Sequence, residues 1–399
     1  MQEPTIPLDK LEAWADILLT HSLGGITKDD RVMIKGERIC WPLMHVLERK
    51  VAEAGGSPDV CLVPPNNERG RVWSATMARH AGPDQIEDTP AWHRERYEAM
   101  TKYIEVLGAE SPEAYAGLAA DQSAALAAAD RPFANLRLAK PWVLTLYPTP
   151  GFARMEGMDL AEYVDFIVGA STVDPKPLKD AEEKIAPLIE AGERIEITTR
   201  CPDRDRELTL TMGLGVSHPV MSFGLRNFPD GEVFTSPDAN TPEGEIFIDL
   251  PVHYSGQDIR GIYLKLEAGR IVEYSAQEGQ DQLAAIIETD EGSHRLGEVA
   301  FGMNPGMDKV LKHPLFVEKV GGTLHVAIGQ SYEDCYVDDP ASEAGKARLA
   351  ELEQAGVFNR SAQHVDIVCD FRPGGAGRSV TIDGRRLAVR DGIWVPAAD

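Results

Sequence analysis

Basic residues are scarce in this sequence. Lys and Arg number 40 against 64 Asp and Glu, which gives a formal net charge of −24 at neutral pH. Nucleic acids and anionic membrane surfaces are bound by an excess of Lys and Arg. The composition therefore predicts that neither a nucleic acid nor a membrane is a partner of this chain.

Long apolar runs are missing as well. No stretch approaches the roughly 18 apolar residues that a membrane-spanning helix requires. The first residues, MQEPTIPLDKLEAWADILL, contain an acid and two prolines where a secretory signal would carry basic residues before an apolar core. The five cysteines are scattered and include no C-x-x-C pair, which excludes a cysteine-rich zinc site and favours reduced thiols. We therefore expect a cytoplasmic protein.

The first half of the chain shows the pattern of an α/β domain. A strand at residues 31–35, a helix over 41–54 and a strand at 59–63 form a β-α-β unit, which predicts a parallel sheet. Further helices are predicted over residues 92–107, 112–129 and 160–169, and a further strand over 142–146.

The pattern changes after a charged, proline-containing segment at residues 174–192. Beyond it, runs such as E-L-T-L-T and G-I-Y-L-K-L-E alternate with period two, and one helix is predicted over 281–288. We therefore predict an α/β N-terminal domain with a largely parallel sheet over residues 1–190. A strand-rich α+β C-terminal domain is predicted over residues 191–399.

Two glutamates in the second half stand at positions where a fold without a functional site would not need a polar residue. Glu232 follows the turn P-D-G and opens an apolar run, and Glu298 lies between Gly297 and V-A-F, where burial is expected. Buried carboxylates are rare unless they are paired or bind a metal. Taken alone, Glu232 also fits a solvated acid in a turn.

Two histidines and an aspartate complete the set. His325 lies within L-H-V-A-I, where a hydrogen-bonded core histidine is the more common case. His364 and Asp366 share one face of the strand H-V-D-I-V, which also fits a solvated sheet edge. Two Glu, two His and one Asp suit zinc, cobalt, manganese or iron. No short motif links them, so the residues alone leave both interpretations open.

Several segments resemble the thermophilic metallo-aminopeptidase family, which comprises aminopeptidase T, aminopeptidase S and PepS types. They are P-D-G-E-V-F-T-S-P, D-E-G-S-H-R-L-G-E-V-A-F-G, L-H-V-A-I-G-Q-S-Y and H-V-D, with Y-P-T-P-G-F-A-R-M-E-G-M-D-L-A-E-Y in the first half. They follow the family's order over nearly the whole chain. The resemblance implies an N-terminal α/β domain, a strand-rich domain that holds two divalent metal ions, and a homodimer.

The resemblance also implies roles for individual residues. The ligands of the two ions, which would be zinc, cobalt or manganese, become Glu232, Glu298, His325, His364 and Asp366, with Glu298 as the bridging carboxylate. Tyr332 matches a tyrosine that lines the family's active site and could donate a hydrogen bond to a tetrahedral oxyanion. Glu298 and Tyr332 are thus the expected catalytic residues. The implied reaction is the removal of N-terminal residues from a peptide, or hydrolysis of a small amide, by a metal-activated water.

Other functions remain possible at this point. His325, His364 and Asp366 alone form a two-histidine, one-carboxylate set that suits a single iron(II) in a ring-opening dioxygenase. Such an enzyme does not need Glu232 and Glu298 as ligands, and their presence favours the hydrolase. A non-catalytic protein on the same scaffold fits poorly with five intact ligand positions.

Overall fold

The computed structural model of the chain describes residues 4–64, 71–254, 257–372 and 377–397. The chain divides into two compact units. Unit 1 comprises Met1–Asp174 and Gly224–Pro229, and unit 2 comprises Pro175–Phe223 and Asp230–Asp399. The predicted boundary after residue 190 instead leaves the helix Lys176–Glu190 in the first domain. This helix belongs to unit 2 because Ile185 and Ile189 are buried in the core of that unit.

The elements are numbered in chain order. The α-helices of the described residues are α1 (Leu8–Ile17), α2 (Trp41–Glu53), α3 (Ala75–His80), α4 (Pro83–Glu87), α5 (Ala91–Ala99), α6 (Ala120–Leu138), α7 (Pro150–Glu156), α8 (Leu160–Ser171), α9 (Lys176–Glu190), α10 (Gln280–Ile287), α11 (Pro314–Val317) and α12 (Glu343–Gln354). Within this part of the chain, none of the helices combines the length and the apolar character needed to cross a bilayer.

The strands of the same residues are β1 (Arg31–Glu37), β2 (Ser57–Val63), β3 (Lys102–Leu107), β4 (Trp142–Leu146), β5 (Arg194–Cys201), β6 (Arg206–Gly213), β7 (Val220–Ser222), β8 (Asn227–Phe228), β9 (Glu232–Thr235), β10 (Glu243–Ile248), β11 (Val252–Tyr254), β12 (Gln257–Glu267), β13 (Arg270–Glu278), β14 (Leu296–Gly302), β15 (Thr323–Gly329), β16 (His364–Asp370), β17 (Ser379–Ile382), β18 (Arg385–Arg390) and β19 (Ile393–Pro396).

Unit 1 is built on a parallel sheet, as the β-α-β pattern predicts. Its strand order is β2-β1-β3-β4-β8, and each neighbouring pair is parallel. The prediction of one helix over residues 92–107 is wrong, because α5 ends at Ala99 and the following segment forms β3. Pairing with β1 on one side and β4 on the other holds that segment in the centre of the sheet, where Ile104 and Val106 are buried.

Unit 2 contains two antiparallel sheets. The larger has the order β11-β12-β10-β6-β5-β17-β18-β19 with β13 paired to β12, and the smaller has the order β16-β15-β14-β9-β7. Apolar side chains of both sheets form one core, to which Ile246 and Leu264 contribute from the larger and Val299 and Val326 from the smaller. The smaller sheet therefore buries one face in this core, and its other face is available for polar side chains.

Candidate metal centre

The five predicted ligands lie on four neighbouring strands of the smaller sheet of unit 2. Glu232 begins β9, Glu298 is on β14, His325 is on β15, and β16 carries His364 and Asp366. Residues that face each other on paired strands point to the same side of a sheet. The pairs that join these strands are Glu232 with Gly302, Ala300 with His325, Glu298 with Ala327, and Ala327 with Asp366. The structure thus brings all five side chains to the face opposite the apolar core.

Small residues alternate with these polar ones on the same face. Gly302 is opposite Glu232, and Ala300 is opposite His325. Ala327 is opposite both Glu298 and Asp366, and Gly329 is opposite His364. Directly opposed side chains come within about 5 Å of each other. A large residue at any of these small positions would fill the space beside a ligand. The alternation therefore leaves room between the polar side chains.

A β-bulge orients Glu298. Leu296 is opposite Ile328, but Glu298 is opposite Ala327, so Gly297 is the extra residue of β14. Regular pairing would place position 297 on the polar face and turn Glu298 toward the apolar core. Glycine is required at the bulge because a Cβ at Gly297 would lie 2.2 Å from the Gln330 carbonyl oxygen. The sequence G-E-V-A-F is thus the local reason for the position of the carboxylate.

The ligand atoms converge. His325 Nε2 lies 3.7 Å from Glu232 Oε2 and 3.7 Å from Glu298 Oε1. His364 Nε2 lies 3.0 Å from Glu298 Oε2 and 3.4 Å from Asp366 Oδ1. Two groups hold ligand atoms within 4.8 Å of one another, namely Glu232 with Glu318 and His325, and Glu298 with His325 and Asp366. The centre can therefore be described, among the residues that the structure describes, as two sets of donors that share His325.

Several of these atoms are buried and have no hydrogen-bond partner among the residues that the structure describes. They include both ring nitrogens of His325, His364 Nε2, Glu232 Oε2 and Asp366 Oδ1. His364 Nδ1 lies 2.8 Å from the Gln330 carbonyl oxygen. A carbonyl only accepts, so Nδ1 donates and the orientation leaves Nε2 directed at Glu298 and Asp366. Unpaired donor atoms of carboxylate and imidazole type are what a divalent metal ion would satisfy, so these residues fit such an ion.

Sequence reasoning missed two charged residues of the centre, Glu318 and Lys319, which follow α11. The Lys319 ammonium is buried and contacts Glu232 Oε1, with Glu318 Oε1 at 3.3 Å and Asp230 Oδ1 at 3.6 Å. The only sequence signal is that E-K stands between L-F-V and the turn V-G-G, seven and six residues before His325. Nothing in their periodicity indicates that this turn folds back onto β9.

The charges of the centre perturb one another. Burial raises the pKa of Glu232, in opposition to the nearby Lys319 ammonium. Burial would lower the pKa of His325, but the adjacent carboxylate of Glu298 outweighs it and raises the pKa to about 9. Burial and the carboxylates of Asp230 and Glu232 raise the pKa of the fully buried Glu182, on α9, to about 10. The centre therefore has more acidic groups than Lys319 can neutralise, and cations are favoured there.

Tyr332 borders the centre. Its ring centroid lies 4.7 Å from that of His364 and 4.8 Å from that of Phe234. The Tyr332 amide N–H donates to Ser236 Oγ at 3.0 Å, and the side chain retains 39 % exposure. Partial desolvation and the charges of nearby carboxylates, first that of Glu298, raise the pKa of Tyr332 well above its usual value. The phenol is therefore a hydrogen-bond donor at neutral pH.

Other structures share the fold. Wild-type AmpT from Thermus thermophilus matches with a TM-score of 0.75 and 22 % identity over 98 % of both chains. A 2,5-dihydroxypyridine dioxygenase from Pseudomonas putida KT2440 matches with a TM-score of 0.55 and 12 % identity over 99 % of both chains. At these identities the likeness shows a common fold and leaves the activity open.

Comparison of sequences gives the family of this chain. Aminopeptidase AmpS of Bacillus subtilis (strain 168) is 34 % identical over 175 residues, which are 43 % of this chain and 40 % of AmpS. The match thus spans about two fifths of that relative. Aminopeptidase PepS of Streptococcus thermophilus is 26 % identical over 97 % of this chain and 98 % of PepS. The profile of the family described as thermophilic metalloprotease (M29) matches residues 8–389. Because that match includes every strand of the candidate metal centre, the chain belongs to the thermophilic metalloprotease family M29.

Proposed function

We propose that this chain is a metal-dependent aminopeptidase that removes N-terminal residues from peptides. The observation that carries the proposal is the buried polar face of the smaller sheet, where imidazole and carboxylate atoms converge without hydrogen-bond partners. Family membership supports it, because the family is one of metalloproteases. The names of the relatives AmpS and PepS supply the exopeptidase specificity as a hypothesis for this chain.

The proposed ligands would hold two divalent ions, which would be zinc, cobalt or manganese. One set of donors is Glu232, Glu318 and His325. The other is Glu298, His325 and Asp366, with His364 beside both of its acids. Glu298 is suited to a bridging position because its two oxygens face His325 at 3.7 Å and His364 at 3.0 Å. When bound, such ions would lower the pKa of a water molecule and polarise the scissile carbonyl group.

The residues of the chain have separate tasks in this proposal. Glu298 would help to hold the ions that activate the attacking water, because its carboxylate is buried at the centre of the polar face. Tyr332 remains protonated at neutral pH and can donate a hydrogen bond to the oxyanion that develops from the carbonyl. Gln330 holds His364 in one tautomer through its carbonyl oxygen. Substrate side-chain preference would be set by residues around Tyr332 and Phe234.

Two further properties belong to this proposal. The protein would act in the cytoplasm, and it would be a homodimer, as the resemblance implies. Sedimentation velocity at two loading concentrations distinguishes a dimer of the 43.6 kDa chain from a monomer.

The test of the function begins with metal quantification on purified protein. We expect about two divalent ions per chain, and release of aniline dye from a panel of aminoacyl-anilides with zinc, cobalt or manganese. N-acetylated anilides are the matched control, since an aminopeptidase requires a free amine. A single iron with oxygen uptake on a dihydroxylated ring would instead support the dioxygenase. Protein that takes up no metal would support a non-catalytic role.

A further inference from the structure

Unit 1 contains a cavity of about 350 Å³ on one face of its parallel sheet. Lys35 on β1 is the register partner of Glu105 on β3, so the two side chains lie next to each other on that face. The rest of the described lining comes from α6, from Tyr97 of α5, from Tyr103 of β3 and from residues 71 and 72. None of the lining residues belongs to the candidate metal centre.

The polarity of this cavity is unusual for its position. Faces of parallel sheets covered by helices are normally apolar. Here Lys35 is 6 % exposed and Glu105 is 3 % exposed. Buried charges at the centre of a sheet cost stability unless they are paired or have a function. The volume is within the range of small-molecule sites.

Two polar atoms of the cavity wall lack hydrogen-bond partners among the described residues. Glu105 Oε2 accepts a hydrogen bond from the Tyr103 hydroxyl at 2.9 Å, but Glu105 Oε1 has no donor. Arg137 Nη1 is buried and has no acceptor. The Arg137 guanidinium is held between two rings, 5.8 Å from the Tyr103 centroid and 5.5 Å from that of Trp142. One acceptor and one charged donor are therefore available to a ligand.

Other charged side chains of the lining already have hydrogen-bond partners. Lys35 Nζ donates to the Tyr97 hydroxyl at 2.8 Å. Asp130 accepts from Arg71 Nη1 and from the Val72 amide N–H, both at 2.9 Å. The lining as a whole has four cationic and two anionic side chains, a net charge of +2 in a chain of net charge −24. A ligand with an anionic group is thus favoured, provided that it also brings a donor for Glu105.

We propose that this cavity binds a free α-amino acid. The ligand's carboxylate pairs with the Arg137 guanidinium and its ammonium donates to Glu105 Oε1. Tyr97 and Phe133 offer an aromatic surface for its side chain. A zwitterion satisfies both unpaired groups at once, whereas a simple anion leaves Glu105 without a donor and a simple amine leaves Arg137 without an acceptor. Amino acids are also the products of the proposed peptidase, but this binding does not depend on that activity.

The test uses isothermal titration calorimetry on the full chain carrying His364→Ala, with a chelator present, so that metal at the candidate centre does not contribute. L-Phenylalanine and L-leucine are the probes, with 3-phenylpropionate and L-phenylalaninamide as analogues that lack the ammonium or the carboxylate. We expect saturable binding of at least one amino acid. 3-Phenylpropionate and L-phenylalaninamide should each bind at least about tenfold more weakly than L-phenylalanine, because each loses one charge-assisted hydrogen bond.

Two variants locate the binding. Glu105→Gln and Arg137→Gln, each in the His364→Ala background, should raise the dissociation constant for the amino acid at least about tenfold. Arg131→Gln is the matched control, because this arginine lines the same cavity but is exposed, where solvent and salt screen its charge. Arg137→Gln and the analogue series remain informative if Glu105→Gln does not fold. The proposal is overturned if no amino acid binds, if the analogues bind equally well, or if Arg137→Gln binds as the parent does.

Discussion

His364 illustrates how a single residue is prepared for a ligand. Its Nδ1 donates to the Gln330 carbonyl oxygen, and its Nε2 faces the carboxylates of Glu298 and Asp366 at 3.0 and 3.4 Å. We predict that His364→Ala removes the metal from its donor set and abolishes aminopeptidase activity. Metal content and anilide turnover of the purified variant measure both effects.

His253→Ala is the matched control for this substitution. His253 pairs with Asp258 at 2.9 Å on β11, which belongs to the larger sheet of unit 2. It should keep the metal content and turnover of the parent chain. Turnover at the parent level in His364→Ala would show that the assignment of this ligand is incorrect.

Lys319 is the residue on which the metal-free centre most depends. It is buried beside three acids, so Lys319→Met leaves Glu232 and Glu318 with uncompensated charge. We predict that the metal-free variant loses roughly 3–5 kcal/mol of unfolding free energy, as is typical when one partner of a buried ion pair is removed. Urea denaturation in the presence of a chelator measures the loss.

The control for this variant is Lys265→Met. Lys265 pairs with Glu267 at 2.6 Å on the surface, where such a pair contributes only about 0–1 kcal/mol. Divalent metal should restore much of the stability of Lys319→Met, because it supplies positive charge to the same acids. Equal stability of the two metal-free variants would contradict this account of Lys319.

At the scale of elements, the bulge in β14 connects backbone geometry to the centre. A Cβ at Gly297 would meet the same Gln330 carbonyl oxygen that orients His364. We predict that Gly297→Ala costs about 1–3 kcal/mol through overpacking and also lowers metal affinity. Thermal denaturation and metal titration measure the two effects.

Gly169→Ala is the counterpart of this substitution. Gly169 lies within α8, and no atom lies within 4 Å of a Cβ added there. Alanine should stabilise that helix by roughly 0.5–1 kcal/mol and leave metal affinity unchanged. If Gly297→Ala behaved in the same way, the bulge would have no role in positioning Glu298.

Hydrogen bonds to Asp290 connect the turn before β14 with the loop before β16. It accepts hydrogen bonds from the Ser293 and Ala362 amides and from the Ser361 hydroxyl. Burial would raise the pKa of Asp290, but these donors, first the Ala362 amide, lower it to about 2. A lowered carboxyl pKa means that its contribution to stability is complete above about pH 4 and is lost as the pH falls toward 2.

Asp290→Asn therefore has a pH-dependent effect. We expect the variant to be less stable than the parent at pH 6, and we expect the difference to shrink between about pH 4 and pH 2. Urea denaturation of both proteins across this range measures it. A difference that stays constant down to pH 2 would mean that the Asp290 charge does not contribute.

The elements also show what could be read from the sequence. The period-two pattern of H-V-D-I-V correctly placed His364 and Asp366 on one face of a strand, because alternation is a local property. The helix predicted over residues 92–107 is wrong at residues 102–107. Only the non-local pairs with β1 and β4 favour a strand over a helix there. Glu318 and Lys319 were missed for the same reason. Their contacts with Glu232 depend on the return of a turn, which local periodicity does not encode.

At the scale of the whole molecule, the net charge of −24 makes two cation effects separable. Any salt screens the general repulsion among exposed acids, and the screening depends only on ionic strength. A divalent ion at the candidate centre would act in addition, because it would bind the folded state of unit 2 in preference to the unfolded chain. The buried Trp394 of unit 2 packs against Phe301 of β14 and reports on this sheet.

We predict that chelation lowers the melting temperature of unit 2 and that zinc, cobalt or manganese restores it. At an ion concentration about 100-fold above the dissociation constant, the gain is about 2.7 kcal/mol, or on the order of 5–10 °C. Sodium chloride at the same ionic strength should restore less, and the difference between the two salts should be smaller in His364→Ala than in the parent chain. Differential scanning calorimetry measures the shifts in melting temperature. Thermal unfolding followed by tryptophan fluorescence, compared between the parent chain and Trp394→Phe, identifies the transition of unit 2. An equal response of the parent chain to sodium chloride and to the divalent ion would show general screening in place of a specific site.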